Sequence, residues 1–179
     1  RVRGSARIEF LCGMRAVRRA RADFDALSGI AAALSSSLDD APARVAATAD
    51  QLREAERSSK RLGDELSAYR ARARYDAAVP DPDGVRRIVQ RVRNAEFDEA
   101  KAIAHVLTEM ARVVYLVTVD EPARVLLATS EDSGVDAGAT LRRLLSEVSG
   151  RGGGSARLAQ GSVPDAAAAE AIRAAVDSR

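Results

Sequence analysis

Between Ser149 and Ser162 the chain reads SGRGGGSARLAQGS. Glycine has no Cβ, so consecutive glycines let backbone N–H groups approach an anion such as a phosphate. Arg151 and Arg157 flank the run with charged donors for phosphate oxygens, and Gln160 adds a neutral hydrogen-bonding group. The candidate phosphate-binding set is therefore Arg151, Gly152, Gly153, Gly154, Ser155, Arg157 and Gln160. A run of this composition also fits a flexible tether. Against that stand its shortness, the amphipathic stretch before it and the apolar Leu158–Ala159 step after it.

Hydrolytic chemistry would need other residue types. The chain holds one His (His105) and one Cys (Cys12), whereas a catalytic zinc takes three protein ligands and an open position. His105, beside Ile103, Ala104 and Leu107, reads as a structural residue of a helix. Cys12 reads as a small buried apolar residue of a strand. Glu131, Asp132 and Asp136 fall at a strand end and a first helical turn, where carboxylates complement the helix dipole. Capping accounts for them better than metal binding, so no catalytic residue and no metal ligand is assigned.

The elements that must position the glycine run follow from the hydrophobic periods. VDAGATLRRLLSEVSG (135–150) carries Leu141, Leu144, Leu145 and Val148 at helical spacing, with Gly150 as its expected C-cap. A short strand at 156–160 and a helix opening at Pro164 come after the glycine loop. Upstream, VVYLVTV (113–119) is a β-branched run of the kind buried on both faces, and RVLLATS (124–130) is a further strand. An amphipathic helix covers 97–111, and VRRIVQRV (85–92) reads as an edge-like strand. Residues 84–179 are thus expected to fold β-α-β-β-α-β-α, one mixed sheet covered by helices.

Before the break at VPDPDG (79–84), the pattern is helical. Val17, Phe24, Ala31 and Leu38, with Ala20, Leu27 and Leu34, form an a/d-type seam. A second helix of about 41–78 repeats it more weakly with Val45, Leu52, Ser59, Leu66 and Ala73. The two are expected to bury these seams against each other as a long antiparallel hairpin. ARIEFLCG (6–13) alternates like a strand. The domain division expected is 1–12 as the truncated end of another domain, 13–79 as the helical hairpin, and 84–179 as the mixed-sheet domain.

Net charge is only +2, but the first 80 residues hold 15 Arg/Lys against 11 Asp/Glu and the remainder 13 against 15. The positive excess sits on the helical half, where the arginines form either a solvated, ion-paired face or a sequence-independent contact with nucleic-acid backbone. Aromatic residues are 3% of the chain, which disfavours single-strand recognition by base stacking. A single thiol fits a reducing, cytoplasmic location and excludes an intramolecular disulfide.

SEDSGVDAGATLRRLLSEVSGRGGGSARLAQGS (130–162) resembles the DHHA1 domain, which closes alanyl-tRNA synthetases, alanyl-tRNA editing proteins and DHH phosphoesterases. The order of strand, acidic turn, VDAG helix start, GRGGG run and AQG carries the likeness. RVRGSARIEFLCGMRAVR (1–18) resembles the last strand of an editing domain entering a helical linker. The resemblance implies an α/β fold and a tRNA-binding C-terminal module, with alanine tRNA as partner. In that family the module belongs to a hydrolase that deacylates mischarged tRNA. The family's zinc ligands, in HxxxH and CxxxH motifs, do not occur in this chain, so the resemblance implies that zinc is held outside it. The phosphoesterase branch shows a histidine after its glycine run, where this chain has Ser155. An ancillary phosphoesterase domain and a coiled-coil dimerisation module remain the alternatives.

Overall fold

The computed structural model describes residues 10–177. The strand expected at 6–13 and the domain end expected at 1–12 fall largely outside them. Phe10, Leu11 and Cys12 are in no strand, and Cys12 is exposed rather than buried. The chain forms two compact units, one up to Ser59 and one from Lys60 onward.

The first unit contains α1 (Met14–Ala33), a turn, and the first half of the 37-residue α2 (Ala41–Ala77). Ser37 organises the turn: its carbonyl accepts from the Ala41 N–H, and its Oγ accepts from the Asp40 N–H at 3.1 Å. Burial is confined to this end, at Ala31 and Ala41. The a/d seams are present but are not packed away. Val17 is 52% exposed, Phe24 56% and Leu52 59%. The expected mutual burial therefore fails. The interruptions at Thr48 and Ser59, and the many alanines between the larger residues, leave each stripe too thin to close over the other.

In the second unit, β1 (Arg86–Arg91) leads through a 3-10 turn at Asn94–Glu96 into α3 (Phe97–Leu107). Then come β2 (Val113–Asp120), β3 (Ala123–Thr129), a 3-10 turn at Glu131–Ser133, and α4 (Ala137–Glu147). The unit ends with β4 (Arg151–Gly154), β5 (Leu158–Ser162) and α5 (Ala166–Asp177). The sheet order is β1-β2-β3-β5-β4, with β1 parallel to β2 and the remaining pairs antiparallel. The glycine run is thus an edge strand instead of a loop, and the strand after it begins two residues later than the pattern suggested.

Because successive strand residues point to opposite faces, β2 supplies two cores. Val114 and Leu116 join Val125, Leu127 and Ala159 beneath Leu141, Leu144, Leu145 and Ile172 of α4 and α5. Val113, Tyr115, Val117 and Val119 join Leu126 and Ala128 beneath Phe97, Ala100, Ile103 and Leu107 of α3. Ala71 of α2 is fully buried in this second cluster, with Tyr75 packed beside it. The compact unit accordingly starts inside α2, upstream of the Val79–Gly84 break. That break is itself tied down. The Arg87 guanidinium binds Asp81 and Asp83, the Asp83 carboxylate accepts from the Val85 N–H at 2.9 Å, and Arg86 donates to the Ala78 carbonyl.

Candidate nucleic-acid interface

The β4–β5 hairpin explains its own glycines. Gly152 and Gly154 pair with Gly161 and Ala159, and Ala159 belongs to the core under α4. A Cβ on Gly152 would lie 2.4 Å from the Gln160 carbonyl oxygen and 3.0 Å from Leu145 Cδ1. On Gly154 it would lie 2.2 Å from the Leu158 carbonyl oxygen. The fold's own packing therefore requires glycine at both positions. Gly153 differs, since a Cβ there would meet nothing within 4 Å. The α4 terminus also departs from expectation: Ser149, at φ 56, takes the left-handed position, while Gly150 donates to the Leu145 carbonyl at 2.8 Å.

The opposite alternation places Arg151 and Gly153 of β4 with Gln160 and Ser162 of β5 on the other side of the sheet, the side α3 covers. Register extends this row. Ser162 pairs with Arg151 on one flank and with Arg124 on the other. Arg124, Ser162 and Arg151 therefore stand side by side across three strands. With strands spaced about 4.8 Å apart, the two arginine Cα atoms are roughly 10 Å from each other. α3 packs on β2 and β3, whereas α4 packs on β4 and β5 from the other side. The α3-side surface of β4 and β5 is left open, and Arg151, Gln160 and Ser162 are exposed on it.

A cleft of about 270 Å³ lies here, lined by Phe97, Arg124, Arg151, Gln160 and Ser162 together with Gly152 and Gly161. None of these is acidic. The Arg124 guanidinium lies over the Phe97 ring, 4.3 Å from its centroid, and its Nη2 donates to Asn94 Oδ1. Its Nε is buried without an acceptor. Arg124, Phe97 and Asn94 were not singled out from the sequence. The available signal was the alternation of β3, which sets a charge at position 124 in the same row as buried Leu126 and Ala128.

Ser155 and Arg157 lie at the other end of the hairpin. Ser155 Oγ accepts from the Arg157 and Leu158 N–H groups at 3.3 and 3.2 Å, so it closes the turn. Arg157 donates to the Thr108 carbonyl at 2.5 Å and pairs with Glu109 at 3.0 Å. Glu131 and Asp132 share its cleft, an acidic setting unsuited to an anion. The structure therefore brings Arg151, Gly153 and Gln160 together and separates Ser155 and Arg157 from them. Asp136 caps α4, accepting from the Ala139 N–H at 2.7 Å, and Asp132 accepts from the Arg112 N–H and Ser130 hydroxyl. These donors hold the Asp132 carboxyl below the usual carboxylate range. His105 is exposed on α3. Among the described residues no group of three His, Cys, Asp or Glu side chains could hold a metal ion, and no helix is long and apolar enough to cross a membrane.

Residues 84–179 match the family model of the DHHA1 domain. The chain belongs to the DHHA1 domain family. Beyond the DHHA1 domain itself, the likeness to curated proteins extends into the helical region. The alanine–tRNA ligase of Methanoregula boonei is 34% identical over 167 residues, covering 90% of this chain and 17% of the ligase. That of Mycobacterium avium is 31% identical over 186 residues, covering 98% and 20%. The chain thus spans about a fifth of the length of these relatives. Among solved structures, the C-Ala domain of Aquifex aeolicus alanyl-tRNA synthetase aligns with 51% of this chain and 91% of its own, at 21% identity and a TM-score of 0.42.

Proposed function

We propose that this chain is a tRNA-binding C-terminal module of an alanine–tRNA-ligase-like or alanyl-tRNA-editing protein, taking alanine tRNA as its partner. The observation that carries the reading is the open sheet face on which Arg151 and Gln160 stand exposed beside a cleft without a carboxylate. Such a face suits a polyanion held through its backbone, and the DHHA1 match and ligase relatives supply the context. Catalysis, whether aminoacylation or zinc-dependent removal of a mischarged amino acid, would belong to other parts of the parent protein. The ancillary phosphoesterase alternative is less well supported, because the position after the glycine run is a turn-closing serine with no titratable group. A transcript of alanine tRNA titrated at low salt tests the proposal by gel shift. Binding that weakens linearly in log–log form as salt rises is expected. Absence of binding at low salt rules the proposal out.

The uncovered a/d seam favours a second element of this reading, self-association through α1 and the first half of α2. Val17, Phe24, Leu27 and Ile30 leave an apolar stripe exposed along α1, and heptad spacing is the pattern that a facing helix covers. Sedimentation equilibrium distinguishes a dimer, expected to dissociate on Phe24→Glu, from a monomer at every concentration.

A further inference from the structure

We infer that Arg124 is a phosphodiester-binding residue, presented by Phe97 and Asn94, and that it supplies the chief anion contact of the open sheet face. The inference rests on the RNA-binding reading above and deepens it, moving the main contact from the glycine run to a residue two strands away.

Several arginines of this unit are neutralised by carboxylates, and Arg124 is not one of them. Arg87 is bound by Asp81 and Asp83, Arg91 by Asp120, Arg157 by Glu109 and Arg173 by Glu170. Among the described residues Arg124 makes no ion pair with a carboxylate. Its contacts are an aromatic face and an amide oxygen, both uncharged. A guanidinium keeps its proton at any ordinary pH, so partial burial does not remove its charge. A half-buried cation without a counter-charge is unfavourable until an anion joins it. A buried Nε without an acceptor is a second departure from the usual satisfaction of such groups. The ring and the amide meanwhile hold the planar fork in one orientation, so little side-chain freedom is lost when a ligand binds.

The surroundings select the anion. The cleft has no carboxylate to repel it and offers Gln160 as a neutral donor. Arg151 stands in the same cross-strand row, its Cα roughly 10 Å away by strand spacing, and lines the same cleft. An extended chain of phosphates meets both. The missing side chains at 152 and 154 are accounted for by the fold itself.

The test is fluorescence-anisotropy titration of a labelled alanine tRNA transcript over a series of salt concentrations, with wild type, Arg124→Gln, Arg124→Lys and Asn94→Ala, each checked for folding by circular dichroism. Arg124→Gln is expected to weaken binding about tenfold and to reduce the log–log salt slope by about one. Arg124→Lys keeps the charge without the fork and should fall between it and wild type. Asn94 is exposed, so Asn94→Ala leaves the core intact and should lose affinity in the same direction. Wild-type binding with unchanged affinity and slope in Arg124→Gln overturns the inference while leaving the RNA reading in place. Should Arg124→Gln fail to fold, unchanged binding by both Arg124→Lys and Asn94→Ala overturns it equally. No binding by the wild type overturns both.

Discussion

Gly138, in the first turn of α4, lies against the backbone of Ser155: a Cβ there would sit 2.9 Å from the Ser155 carbonyl oxygen and equally close to that of Gly154. At this point helix and hairpin turn meet backbone to backbone. Neither element can retreat, because Leu145 of the same helix also presses on Gly152 and Gly161. Gly138→Ala is therefore expected to cost about 1–3 kcal/mol as overpacking. Gly153→Ala, facing open space, should stay within about 0.5 kcal/mol of wild type. Urea unfolding of the two variants gives the comparison, and equal destabilisation would contradict the assigned faces.

Arg151 and Arg157 flank the same glycines but should behave oppositely. Arg151→Glu should reduce RNA affinity with little change in melting temperature, because its side chain is exposed. Arg157→Glu loses the bonds to Thr108 and Glu109 and sets a carboxylate beside Glu109, so a stability loss of about 1–3 kcal/mol is expected. Melting curves recorded beside binding curves separate the two. A double charge reversal alone would confuse them.

The linker after α2 should carry an acid sensitivity of its own. The Arg87 guanidinium, helped by the Val85 N–H, lowers the Asp83 carboxyl to about 2. A carboxylate lowered in the folded state stabilises above its unfolded value of about 3.9 and loses that contribution as pH falls through the folded value. Thermal midpoints of wild type should therefore converge on those of Asp83→Asn between about pH 4 and pH 2. A constant gap between the two curves across that window would show that Asp83 is not responsible. Glu96 and Glu170 are lowered as well, each by its own arginine, which is why the difference between variants is the quantity to follow.

The α4 cap offers a local check. Asp136 accepts from the Ala139 N–H and begins the helix that roofs the β4–β5 hairpin. Asp136→Ala should cost about 1 kcal/mol, and Asp136→Ser much less, because a hydroxyl also caps. Hydrogen exchange at the α4 amides should rise in the alanine variant before that of β2.

Periodicity made most of the sheet unit legible. The β-branched run of β2 pointed to burial on both faces, and Asp136 read as a cap because the residues around it have strong local preferences. What escaped was set by contacts between distant segments. Three glycines in a row signal slack backbone locally, and only the paired strand β5 shows that two of them answer to close packing. Arg124 has no distinguishing local signal, and only register sets it across from Ser162 and in one row with Arg151. The helical seams were visible as patterns, but no pattern states whether the chain itself covers them.

One practical consequence follows from Ala71, buried among the residues of α3 and β2. Tyr75 donates to the Ala111 carbonyl at 2.9 Å, and Arg70 binds Glu99. A recombinant fragment trimmed to the family boundary at residue 84 would strip these groups away and bare the apolar surface they shield. Its aggregation would then be misread as an unstable domain. A fragment beginning near Lys60 keeps the last turns of α2 and is the shorter piece expected to purify as a folded, soluble species.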